Sequence, residues 1–222
     1  MILSKKILTD SRLEDYDLMI LSMISYLFRP QIPCHVSAMI LQRQFFPELK
    51  KVTDARYRQK IEISFKHLVE LGYLTKDETK SANEYWVDMR QIRSAEESEY
   101  LKYSDKAFEE VIQTRGLNHA ALWRMYLYFK MNFMDNTHNT KYNGKICLFN
   151  LSAYSGDFET ISYRTILRYL DTLQNLKLIH YYNHTFLGSP YGRPSYVVAY
   201  WKDRDLLDEY IASKPIYPRA LD

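Results

Sequence analysis

The chain has 222 residues, 46% apolar and 26% charged, a composition that supports a folded core and excludes a disordered or collagen-like polypeptide. No apolar run reaches the length of a membrane span, and Met1–Lys6 has neither the order nor the apolar length of a signal peptide, so a cytoplasmic location is expected. A net charge of +3 permits nucleic-acid binding without demanding it, because a basic footprint is local.

Residues 1–10 read as an extended lead-in. Ser11 is a candidate helix cap with Glu14 as its capping-box partner, and the helix it opens spans about 12–28. Leu18, Ile20, Leu21 and Ile24 make that helix apolar over more than one stripe, as a central buried helix is, and the run Arg29–Pro33 stops it. Cys34–Val36 suits a short strand, Ser37 caps a second helix over 38–45, and Pro47–Thr53 reads as a turn. Thr53 or Asp54 then caps a third helix from Ala55 to about Leu71, with Ile61, Phe65 and Leu68 as its core stripe. Its outer face is Arg56, Lys60, Ile63 and His67, and Gly72 ends it in a left-handed conformation. Tyr73–Thr75 and Glu84–Asp88 read as strands around a polar turn.

Residues 90–117 are expected to bridge to a second unit, with a short helix over 105–115 whose apolar edge is Phe108, Val111 and Ile112. Asn118 caps a helix over 118–134 that buries Leu122, Met125, Tyr126, Phe129 and Phe133. A hydrophilic loop, a strand over 145–150 and a short helix or turn over 151–158 follow. Between Thr160 and Leu176, Ile166, Leu170, Leu173 and Leu176 recur at helical spacing opposite Arg164, Arg168, Asp171 and Asn175. After Lys177 the period changes to that of strands, at 178–182 and again at 195–201, around a loop with Gly188, Pro190, Gly192 and Pro194. Residues 205–213 close the chain with a helix that can pack at home or pair between copies as a homodimer.

A slide of 105 residues sets Ile61 on Ile166, Phe65 on Leu170, Leu68 on Leu173, Leu71 on Leu176, Tyr73 on Leu178 and Leu74 on Ile179. This is a repeat of architecture with negligible identity. The expected fold class is mainly α with small β-wings (α+β), two winged helix-turn-helix units in tandem. The expected domains are a winged helix over 1–92, a linker with a short helix over 93–117, a second winged helix over 118–202, and a closing helix and tail over 203–222.

In such a unit the third helix enters the DNA major groove and the wing follows the backbone or the minor groove. The candidate double-stranded-DNA contacts in the first unit are therefore Arg56, Gln59, Lys60 and His67 on the helix, with Lys76 and Lys80 on the wing. In the second they are Thr160, Ser162, Tyr163, Arg164 and Arg168 on the helix, and Arg193 near the wing tip. Asp171 is expected to pair with Arg168 one turn away.

The two cysteines, Cys34 and Cys147, lie far apart and suit free thiols, and the six histidines show no metal-ligand spacing. No phosphate-cradling glycine loop or nucleophile elbow is present, so neither enzyme activity, a cofactor nor a metal is expected.

The approach Ile7–Leu13 into a long buried helix, followed by helix-turn-helix and wing over 37–88 and again over 118–201, resembles the tandem winged-helix proteins that start replication of plasmids and related mobile elements. It also resembles the winged-helix part of bacterial primosome proteins. The resemblance implies binding to repeated origin sequences and recruitment of host replication proteins. A transcriptional regulator using the same units, and a protein–protein adaptor built on tandem winged helices, are the alternatives.

Overall fold

A computed structural model of the protein describes residues 2–28, 34–46, 51–80, 84–88, 92, 100–114, 118–135, 142, 144–150, 161–183 and 195–213. The chain is mainly helical with small antiparallel sheets and divides into two compact units, Met1–Arg124 and Met125–Asp222.

The first unit opens on strand β1 (Ile2–Ser4) and helix α1 (Lys5–Thr9), where an extended lead-in was expected. Ser4 caps α1 by accepting from the Lys6 amide at 3.2 Å. β1 pairs with β5 (Tyr100–Lys102), nearly a hundred residues away, a partnership that local pattern cannot reveal. Helix α2 (Asp15–Leu27) starts at Glu14 and not at Ser11, because Asp17 accepts from the Glu14 amide at 2.8 Å. Asp10, just upstream, is occupied by Arg12, at 2.9 and 2.7 Å, and by the Tyr73 hydroxyl at 2.9 Å. Residues 18–21, 23 and 24 of α2 are buried, so the helix is central, as its all-round apolarity requires.

β2 (Cys34–Ser37) runs into α3 (Ala38–Phe45), capped by Ser37 as expected. α4 (Lys51–Glu70) begins a turn earlier than its sequence suggests. Thr53 and Asp54 thus fall within the first turn and not ahead of it. Its stripe of Ile61, Phe65 and Leu68 is fully buried. Gly72, at φ +80°, ends it. Tyr73 and Leu74 are not strand residues, because both amides donate to the Leu68 carbonyl in closing the helix. The strand that follows, β3 (Thr75–Lys76), is short and pairs with β4 (Glu84–Val87), which also pairs with β2.

Within residues 93–117, expected to form a linker with a short helix, the structure describes β5 and that helix, α5 (Asp105–Ile112), and both lie in the first compact unit. α5 buries Phe108, Val111 and Ile112, and Phe108 packs edge-on to Trp123 at 4.8 Å. The unit boundary falls inside α6 (His119–Asp135), whose N-cap is Asn118.

In the second unit, β6 (Ile146–Asn150), β7 (Ile179–Asn183) and β8 (Ser195–Tyr200) form an antiparallel sheet in the order β6-β8-β7. This repeats the β2-β4-β3 order of the first unit. α7 (Tyr163–Asn175) precedes β7 as α4 precedes β3. α7 buries Ile166, Leu170 and Leu173. The closing helix α8 (Arg204–Ala212) packs at home, with Leu207 buried against Ile146, Val197 and Ala199. The expected short element at 151–158 lies outside the described residues.

Candidate nucleic-acid interface

α4 and α7 are superposable in their local chemistry. The Leu71, Gly72 and Tyr73 amides donate to the carbonyls of His67, Val69 and Leu68. The Leu176, Lys177 and Leu178 amides donate to those of Thr172, Gln174 and Leu173, each pair shifted by the same 105 residues. Both helices end in a residue of positive φ, Gly72 at +80° and Lys177 at +56°. The register seen in the apolar pattern is therefore also the register of the backbone.

On α4 the face opposite the core exposes Arg56, Gln59, Lys60, Ile63 and Lys66. Ile63 is 57% exposed, the most exposed large apolar side chain among the described residues of this helix. Lys60 lies over the Tyr16 ring at 4.9 Å and donates to its hydroxyl at 3.3 Å. His67 is different. Its Nδ1 lies 2.6 Å from the Asp17 carboxylate, which is buried and also accepts from Ser64 Oγ. That hydrogen bond raises the His67 pKa above its usual value, against a smaller opposing effect of burial. His67 thus ties α4 to α2 and is only half available to a ligand. Lys76 is exposed beside Glu78 at 3.4 Å, and Lys80 is exposed in the turn ordered by Asp77, which accepts from the Thr79 amide at 2.9 Å.

On α7, Ser162 is the N-cap and accepts from the Thr165 amide at 3.3 Å, so its side chain serves the helix before any ligand. The Tyr163 ring is exposed while its hydroxyl meets that of Tyr196 at 3.0 Å. Arg164 and Arg168 are exposed, one turn apart, and among the described residues neither guanidinium has a hydrogen-bond or ion-pair partner. Asp171 does not pair with Arg168 as expected. It accepts from the Tyr181 hydroxyl at 2.5 Å, a partner brought in by β7. Thr160 and Arg193 lie outside the described residues, as do residues 81–83 between β3 and β4 and 184–194 between β7 and β8.

Ile63, set on the outer face of this helix by its sequence spacing, stands on the exposed face of α4. One feature escaped sequence reading. Trp86 is 41% exposed on β4, its ring edge-on to His35 at 3.6 Å. Among the described residues, no group of three or more His, Cys, Asp or Glu is placed to hold a metal ion, and no helix is long and apolar enough to cross a membrane.

No family model matches the chain, and no curated protein or solved structure is significantly similar to it.

Proposed function

We propose that the protein binds double-stranded DNA through two winged helix-turn-helix units, α4 and α7 being the helices that enter the major groove. The reading is supported above all by the repetition, at one register, of an amphipathic helix with cations on its solvent face, a left-handed helix end and a three-stranded antiparallel sheet. A side chain that touches DNA must be solvated, of suitable polarity and not already consumed by the fold. Arg56, Gln59, Arg164 and Arg168 meet all three conditions. The biological role we infer is initiation of replication of a plasmid or mobile element, on the resemblance to initiators of that kind; a transcriptional regulator would use the same helices.

Binding of random duplex should weaken steeply as salt rises, with a slope of about −0.9 per phosphate neutralised. Arg164→Ala with Arg168→Ala should lower both affinity and slope. Salt-insensitive binding, or binding untouched by the double substitution, defeats the reading.

A protein–protein adaptor is the second reading. It is favoured by the exposure of Met39 (44%), Ile40 (44%) and Leu148 (64%), apolar surface that DNA contact through α4 and α7 does not use. A co-purifying protein lost on Leu148→Ser would support it.

A further inference from the structure

We infer that the two units read different base pairs: α4 reads an A·T pair through Gln59 and Ile63, and α7 reads guanine through Arg164 and Arg168. This rests on the DNA-binding reading above and adds the chemistry that each helix recognises.

The shared register makes the comparison residue by residue. Shifted by 105, Gln59 stands where Arg164 stands, and Ile63 where Arg168 stands. All four occupy the exposed face of a helix whose opposite stripe is buried. In the major groove a glutamine amide can both accept from adenine N6 and donate to N7, whereas an arginine donates twice, to guanine O6 and N7. An aliphatic side chain has one target there, the 5-methyl group of thymine. Gln59 and Ile63, one turn apart, therefore form an adenine reader beside a thymine reader. Arg164 and Arg168 cannot do the same work.

Charge selects a polyanion as the occupant of the α4 face. Arg56, Lys60 and Lys66 flank the solvated isoleucine, an arrangement suited to phosphates on either side of a groove. Ile63 also borders a surface depression of about 460 Å³ that includes Glu14 and Glu70. These carboxylates repel phosphate, so the groove-facing part of α4 is its middle stretch, from Arg56 to Ile63.

The test uses the full chain and a duplex selected by it from a random pool. That duplex is remade with deoxyuridine for thymidine, which removes only the 5-methyl group, and separately with 7-deazaguanine for guanine, which removes only the N7 acceptor. The uridine duplex should bind about fourfold more weakly, the worth of one buried methyl. Ile63→Ala should bind both duplexes alike, and it leaves the core intact because the side chain is solvated. The deazaguanine duplex should weaken binding by the wild type about tenfold, and Arg164→Ala with Arg168→Ala should lose that difference. Equal binding of thymidine and uridine duplexes by the wild type, or a preference that survives Ile63→Ala, overturns the assignment of α4 while leaving salt-dependent binding in place. Absence of salt-dependent binding to any duplex removes the DNA reading itself, and this assignment with it.

Discussion

The Tyr181 hydroxyl donates to Asp171 at 2.5 Å, and this one bond decides what the solvent face of α7 offers a ligand. Asp171 lies three residues from Arg168, within easy reach of it along a helix. Burial, and after it the bond to Asp171, pushes the Tyr181 phenol above its ordinary pKa, so it stays a protonated donor at neutral pH. With its carboxylate held by β7, Asp171 leaves the Arg168 guanidinium to solvent. Tyr181→Phe should release Asp171 to pair with Arg168. DNA affinity should then fall by roughly twofold, the worth of such a helix pair, and the salt slope by about one phosphate. Adding Asp171→Asn to Tyr181→Phe should restore both. A loss that Asp171→Asn leaves unrepaired would assign Tyr181 a packing role only.

The matching helix ends invite opposite substitutions. Gly72 holds φ +80° with open space where a Cβ would stand, so Gly72→Ala costs the left-handed conformation and nothing else, about 1 kcal/mol. Lys177 holds +56° with a side chain in place. Lys177→Gly should stabilise by up to about 1 kcal/mol, less the entropy that glycine adds to the unfolded chain. Urea melts of the two variants should move in opposite directions.

Helix identities were legible in the sequence because their signals are local. Ser37 caps α3 and Asn118 caps α6 through bonds spanning three residues, and the stripes at Ile61 and Ile166 require only helical period. What misled was competition between equally local signals. Ser11 with Glu14 and Glu14 with Asp17 are both capping spacings, and the second wins because the fold also gives Asp17 the partners Ser64 and His67 from α4. β1 with β5 went unseen because the pairing is distant and its strands are three residues long. In the candidate interface the arginines of α7 could be named from sequence. The withdrawal of His67 by Asp17, and of Asp171 by Tyr181, depends on other elements and could not.

The closing helix also carries a test. Leu207 is fully buried against Ile146, Val197 and Ala199 from the sheet of its own unit. Leu207→Ala should cost about 2–5 kcal/mol, the range for an aliphatic core truncation. If α8 instead served only to pair two copies, the variant would change sedimentation and leave the melting of dilute protein unaltered.

The His67–Asp17 contact predicts how stability depends on pH. The Asp17 hydrogen bond raises the folded-state pKa of His67 above the value of about 6.5 that the residue has in an unfolded chain. A raised pKa means that the folded protein holds the proton more tightly. The stabilisation is therefore complete below about pH 6.5 and is lost as pH rises through the folded value. Glu14 and Glu70, which line the same depression, add to the raise; Lys60 and Lys66 also line it. His119 behaves oppositely. Burial lowers its pKa, so it withdraws stability only as pH falls below about 6.5, outside the window that His67 controls. Urea midpoints of the wild type should accordingly decline as pH rises above about 6.5, and His67→Gln should flatten that decline while retaining a side chain able to donate to Asp17. An unchanged slope in the variant would mean that His67 titrates as it does in an unfolded chain and that the contact stores no proton-linked stability.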